Sequence, residues 1–227
     1  LLFIVMLLVP LTLAQEEDEA EPEPFAFVAT EDGPLVMAHA GGIGLGPANT
    51  MATFEKAVEI GVDVLEMDIH ITSDDVIVTI HDDTVDRTTD GTGLVREMTF
   101  ADLQALDAGY NWTDQRGEYE DEFPYRGQGI THAALSEVFE AFPEMPMVIE
   151  IKQAEPSMVE PFCDLLTEYE MQDQVLVASF SDDTLLEFRE ACPGIQTSSA
   201  EQEIRLFVGR LQFGSLDDYE APSAAFQ

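Results

Sequence analysis

Six side chains stand where they can do chemistry: His39, Glu66, Asp68, His81, Glu150 and Lys152. Each falls at or just beyond the end of a short apolar run. Three carboxylates brought to one place repel one another, so they either hold protons more tightly than usual or share a cation. Their hard oxygen atoms favour Mg²⁺ or Ca²⁺ over zinc. Two histidines that titrate near neutrality suit the roles of general base and general acid across a reacting phosphorus. Lys152 is one of only two lysines, with Lys56, in a chain of 46 Asp+Glu and 9 Lys+Arg. A cation in such company points to an anion held beside it.

The elements that must position these groups centre on the stretch from Val62 to Asp82. Side chains of a strand alternate between its two faces. Leu65, Met67, Ile69 and Ile71 therefore share one apolar face. Val62, Val64, Glu66, Asp68 and His70 share the other, which begins apolar and ends in two carboxylates. A short turn at Ser73-Asp74-Asp75 leads to a second strand, Val76 to Ile80, ending in His81-Asp82. His70 lies one step beyond Asp68 and reads as a loop-edge residue. Upstream, Leu35 to His39 reads as a strand and Asn49 or Thr50 as the cap of a helix running to Ile60, with Gly61 as its stop. Strand, helix, strand in that order implies a parallel pair.

Downstream, residues 83–99 read as a loop rich in Thr, Asp and Gly, and Phe100 to Leu106 as a short helix. Residues 108–130, with Tyr110, Trp112, Phe123 and Tyr125, read as an insertion over the barrel mouth; His132 carries no signal beyond a place in such a lid. Ser136 to Phe142 is a helix, Met147 to Lys152 a strand, Pro156 to Glu170 a helix, Val175 to Ser179 a strand, Asp182 to Ala191 a helix and Gly194 to Thr197 a strand. Beyond Glu201 the pattern weakens, and Ser223 to Gln227 opens a further strand. Titratable residues at the C-terminal ends of apolar strands mark an α/β barrel of the TIM (β/α)8 type, whose catalytic groups occupy that rim. Six or seven strands fit, so the barrel is expected to be truncated at the C-terminus.

The motifs H-A-G-G (39–42), P-A-N-T (47–50), E-M-D (66–68), H-D (81–82) with R-T-T (87–89), and E-I-K (150–152) follow in this order. Together they resemble the glycerophosphodiester phosphodiesterase family. The resemblance implies a TIM barrel that cleaves glycerophosphodiesters to sn-glycerol 3-phosphate and an alcohol with one divalent cation, Mg²⁺ or Ca²⁺. It implies His39 and His81 as the acid/base pair, Glu66, Asp68 and Glu150 as metal ligands, and Lys152 as a phosphate contact. Two positions depart from the family pattern: Ala40 where an arginine is usual, and Ala48 where a glutamate is usual. These departures keep open a related barrel phosphodiesterase acting on lysophospholipids, and an inactive barrel serving as a binding module.

The 227 residues carry a net charge of −37. Such a surface repels nucleic acid and anionic membrane, so the expected partner is a small molecule. Residues 1–14 are almost wholly apolar, too short to span a bilayer, and read as the h-region of an N-terminally incomplete signal peptide; the protein is expected to be exported. Residues 15–30 read as an acidic linker and 31–227 as the barrel domain. Cys163 and Cys192 match no metal spacing and make no disulfide framework; they read as buried or incidental thiols, with a bridge left open for an exported chain.

Overall fold

The computed structural model describes residues 33–113, 122–214, 216 and 218–226. The expected signal segment and acidic linker lie outside the described residues, as does part of the aromatic insertion.

Strand β2 (Val64–Ile71) is the spine of the sheet, and all eight of its residues are buried. Both of its faces are covered, as the alternation requires. Leu65, Met67, Ile69 and Ile71 pack with Phe54, Phe139, Phe162 and Phe188 on the helical side. Val64 packs with Val148, Leu176 and Ala178 on the opposite face. That second face begins apolar and then carries Glu66, Asp68 and His70.

Strands β1 (Met37–Ala38), β2, β4 (Met147–Ile151), β5 (Val175–Ala178) and β6 (Gln196–Thr197) lie side by side in that order, all parallel. Helix α1 (Met51–Glu59) links β1 to β2, α4 (Val159–Glu168) links β4 to β5, and α5 (Asp182–Ala191) links β5 to β6. Helices α2 (Phe100–Gln104) and α3 (Leu135–Ala141) sit in the long connection to β4. Repeated strand–helix–strand crossovers on a parallel sheet are the construction of a TIM barrel. Among the described residues the sheet does not close on itself. Ala225 forms a parallel bridge to Ser198, so the expected strand at the C-terminal end begins beside β6.

The second strand of the hairpin departs from a uniformly parallel rim. Strand β3 (Ile77–Thr79) pairs antiparallel with β2, with Ile69 opposite Thr79 and Ile71 opposite Ile77. The tight turn at 73–75 permits no other direction, because a parallel partner needs a long crossover. His81 still reaches the rim: the chain comes back down beside β2, and Ile80 N–H donates to the Asp68 carbonyl at 2.9 Å.

The loop after β1 is held by close contacts. A Cβ on Gly41, whose φ is +74°, would lie 2.5 Å from the Phe54 ring, so only glycine lets this turn sit on α1. Trp112 Nε1–H donates to the Ile43 carbonyl at 3.0 Å, and Tyr125 O–H to the Leu45 carbonyl at 2.8 Å. The described part of the insertion thus packs on residues 43–45.

Two further expectations are corrected. Helix α6 (Glu201–Gln212) follows β6, where no helix is expected. Ile204, Phe207, Val208 and Leu211 recur along it at helical spacing, yet none of its residues is buried, and Leu206 and Leu211 are exposed. Cys163 on α4 and Cys192 after α5 are joined as a disulfide, their Cα atoms 5.8 Å apart. The spacing of 29 residues carried no such information; the packing of α4 against α5 brings the pair together. Replacing both cysteines with alanine should lower the unfolding free energy by about 3–4 kcal/mol, the chain-entropy value for a loop of this length. Urea unfolding of the two forms measures it, and coincident midpoints would show that the bond contributes nothing.

Candidate active site

Parallel pairing of β2 with β4 sets Asp68 directly opposite Glu150, and Glu66 two residues back on the same face. All three carboxylates are buried, at 3%, 1% and 4% exposure. Each offers an oxygen within 4.8 Å of the others. Like charges opposite one another on a sheet are destabilising, so each carboxylate needs an anchor.

The anchors come from three elements. Ala40 N–H donates to Glu66 Oε2 at 2.5 Å. Ala40 itself has left-handed backbone angles, φ 48° and ψ 39°, a conformation that costs a residue with a Cβ roughly 1–2 kcal/mol. The strain turns this N–H onto the carboxylate and leaves the preceding His39 exposed on the rim. Asn49 Nδ2 donates to Asp68 Oδ2 at 2.9 Å, and Asp68 N–H returns a bond to Asn49 Oδ1 at 3.2 Å. Lys152 Nζ lies 2.8 Å from Glu150 Oε1 and 3.2 Å from Asp68 Oδ1.

Protonation follows this geometry. Burial pushes the Glu66 carboxyl up, the Ala40 N–H opposes that, and the neighbouring charge of Asp68 adds to it; His39 is close enough to pull it back down. Burial alone would lower the Lys152 ammonium, but its bond to Glu150 and the charges of Asp68 and Glu150 outweigh that and hold it above its ordinary value. Three carboxylates against one ammonium leave an excess of negative charge in a buried place. Oxygen donors only, closely spaced and each held in place by at least one partner, fit a hard divalent cation.

His81 is half exposed and has its own support. Its Nδ1 lies 2.7 Å from Asp82 Oδ1, and Arg87 clasps both oxygens of Asp82, at 2.5 Å from Nε and 3.0 Å from Nη2. The Arg87 guanidinium, aided by His81, holds the Asp82 carboxyl at about 2, despite partial burial. An anionic Asp82 accepting from Nδ1–H fixes the tautomer and leaves Nε2 to exchange a proton.

The structure thus brings Glu66, Asp68, Glu150 and Lys152 into contact, with His39 beside Glu66, and sets His81 at the level of Asp68. Three residues were misjudged from sequence. Asn49 is not a helix cap: it is 1% exposed and holds Asp68, while Thr50 takes the N-cap position of α1. Its place in P-A-N-T was the only available signal. His70 is not a loop-edge residue. It is 1% exposed, with Nε2 3.3 Å from the His81 carbonyl, and burial holds its imidazole below the ordinary value. His132 is no part of a lid: it is buried, with Nδ1 2.9 Å from the Thr79 carbonyl. Thr79 O–H in turn donates to the Asn49 carbonyl at 2.9 Å, so this histidine braces the strand behind Asn49.

A model of the glycerophosphoryl diester phosphodiesterase family matches residues 39–204. A glycerophosphodiester phosphodiesterase of Caldanaerobacter subterraneus subsp. tengcongensis is 34% identical over 167 residues, covering 71% of this chain and 64% of that protein. The chain spans just under two thirds of the length of the curated relatives that it matches at 34% and 37% identity. Among solved structures, the glycerophosphoryl diester phosphodiesterase domain of an uncharacterized protein from Mycobacterium tuberculosis aligns with a TM-score of 0.74 at 26% identity, covering 83% of this chain and 68% of that one. An Oleispira antarctica phosphodiesterase, solved in complex with the product sn-glycerol-3-phosphate, aligns with a TM-score of 0.61 at 29% identity, covering 77% of this chain and 71% of that one.

Burial holds the His132 imidazole at about 4, against an ordinary 6.5. Between those pH values the unfolded chain takes up a proton that the folded chain refuses, so stability is complete above pH 6.5 and falls as pH drops toward 4. The loss amounts to about 3 kcal/mol, from 1.36 kcal/mol per pKa unit. His132→Gln should flatten the stability–pH curve over that window in denaturant titrations; an unchanged slope would show that His132 does not bind the proton differentially.

Proposed function

The chain belongs to the glycerophosphoryl diester phosphodiesterase family, and from that premise we propose that it hydrolyses glycerophosphodiesters to sn-glycerol 3-phosphate and an alcohol. The observation that carries this is the meeting of Glu66, Asp68 and Glu150 within 4.8 Å on the rim that also bears His39, His81 and Lys152. Glu66, Asp68 and Glu150 would hold one Mg²⁺ or Ca²⁺. Bound there, the cation supplies positive charge against phosphoryl oxygens and favours ionisation of a nearby hydroxyl.

The chain's own residues do the rest. One of His39 and His81 takes the proton of the glycerol 2-hydroxyl as that oxygen attacks phosphorus; the other gives a proton to the departing alcohol. The cyclic phosphate so formed is opened by water with the two roles exchanged. Asp82, held by Arg87, orients His81 and stabilises its imidazolium form during the exchange. Lys152 adds a positive charge next to the carboxylates, which lowers the repulsion an anionic phosphodiester meets on entering a chain of net charge −37. The apolar stretch at residues 1–14 and the Cys163–Cys192 disulfide both support export, since disulfides persist in oxidising compartments.

With glycerophosphoglycerol as substrate and Mg²⁺ or Ca²⁺ present, the chain should release sn-glycerol 3-phosphate, and a chelator should abolish the reaction. His39→Ala and His81→Ala should each lower kcat by roughly 10²–10⁴-fold, the usual contribution of a positioned acid or base. Lys152→Met should lower kcat/KM. Wild-type rates in both histidine variants would refute two-histidine catalysis.

A further inference from the structure

His70 is a buried side chain to which the reaction above gives no role. It shares the Glu66–Asp68 face of β2 and is 1% exposed. A polar ring in such a place needs partners, and it finds them on two segments of the rim. Its Nε2 lies 3.3 Å from the His81 carbonyl. A carbonyl only accepts, so Nε2 carries the hydrogen and donates it. The side chain of Gln153, one residue past Lys152, also bonds the ring. Gln153 is itself held, its Nε2–H donating to the Pro156 carbonyl at 2.9 Å. The Asp83 carboxylate lies 4.0 Å from His70 Nε2, beyond bonding reach.

The bond to His81 falls where the sheet stops supporting the chain. Strand β3 pairs with β2 from Ile77 to Thr79, opposite Ile71 to Ile69. Nearer the start of β2, strand β1 pairs with Val64 and Leu65. The hairpin leaves the ladder just before His81. Ile80 N–H still reaches the Asp68 carbonyl at 2.9 Å. One residue on, no backbone N–H bonds the His81 carbonyl among the described residues, and the His70 ring supplies the donor. That carbonyl belongs to the peptide between His81 and Asp82. A peptide unit is planar, so holding it fixes the two Cα atoms from which the imidazole and its orienting carboxylate project. We propose that His70 is the positioning residue of His81: it holds the His81–Asp82 peptide so that the imidazole keeps one geometry against the substrate. This assignment rests on the hydrolase function proposed above. Through Gln153 the same ring ties that peptide to the segment that follows Lys152, so both sides of the rim are referred to one fixed point on β2.

The full chain is assayed with glycerophosphoglycerol at saturating Mg²⁺. His70→Asn keeps a polar side chain but ends near the place of Nδ1, too short to reach the His81 carbonyl. His70→Gln sets an amide N–H near the place of Nε2. His70→Asn should lower kcat by at least about tenfold, with KM and calorimetric Mg²⁺ affinity within about twofold of the unaltered chain, and His70→Gln should recover most of the loss. In a chain already carrying His81→Ala, His70→Asn should cost less than about twofold, because no imidazole is left to place. His70→Leu, which keeps volume and lacks the donor, should behave as His70→Asn and takes its place in the cycle if that variant does not fold. Equal losses with and without the His81 imidazole would mark a general structural role and overturn the assignment. So would an undiminished rate in His70→Asn, a His70→Gln rate as low as that of His70→Asn, or a loss that tracks weakened Mg²⁺ binding, which would place the effect on Asp68. Absence of turnover in the unaltered chain overturns the hydrolase function, and the positioning role with it.

Discussion

Mutual repulsion among three buried carboxylates is the constraint that the rest of this structure answers. At separations of no more than 4.8 Å and an effective dielectric constant of about 20, each pair of full charges would repel by at least roughly 3 kcal/mol. One ammonium, Lys152, can offset only part of that. Burial first, and the charge of Asp68 after it, push the Glu66 carboxyl up, and a divalent cation would remove the repulsion that Lys152 leaves. A fold selected for stability alone would not place Glu66, Asp68 and Glu150 on one buried face of neighbouring strands.

Meeting the constraint engages elements distant in the chain. The β1–α1 loop contributes twice, through the strained Ala40 N–H to Glu66 and through Asn49 to Asp68. Strand β4 supplies a carboxylate, and the residue just past its end is the lysine that balances it. The hairpin returns the chain so that His81 arrives beside Asp68, and the loop after it brings Arg87 back to fix Asp82. Behind the loop, Gly41 on Phe54 and His132 on Thr79 hold the backbone that carries these contacts. The rim is therefore rigid for a packing reason: its polar groups are fastened to a core that is filled.

What could be read from sequence was whatever leaves a periodic or local trace. Strand β2 showed as apolar alternation and β4 and β5 as short apolar runs, and Glu66, Asp68, Glu150 and Lys152 followed from their positions on or just after those strands. The same periodicity could not reveal pairing direction, and the antiparallel course of β3 emerged only from its pairing with β2. Asn49 looked like a cap because its type suits a cap; its bond to Asp68 spans 19 residues. His70 and His132 are ordinary letters in the sequence and acquire meaning only from burial. Cys163 and Cys192 pair because α4 packs on α5, whereas the helical spacing of Ile204, Phe207, Val208 and Leu211 in α6 was legible and was passed over.

The central claim is that Glu66, Asp68 and Glu150 act as one cation site. Calorimetric titration of Mg²⁺ and Ca²⁺ into the chain, alongside the Asp68→Asn variant, tests it without reference to turnover. One cation per chain should bind, and Asp68→Asn should weaken binding by at least about tenfold while the fold is retained. Binding of equal stoichiometry and affinity in Asp68→Asn would contradict the account, because the cation would then be held elsewhere.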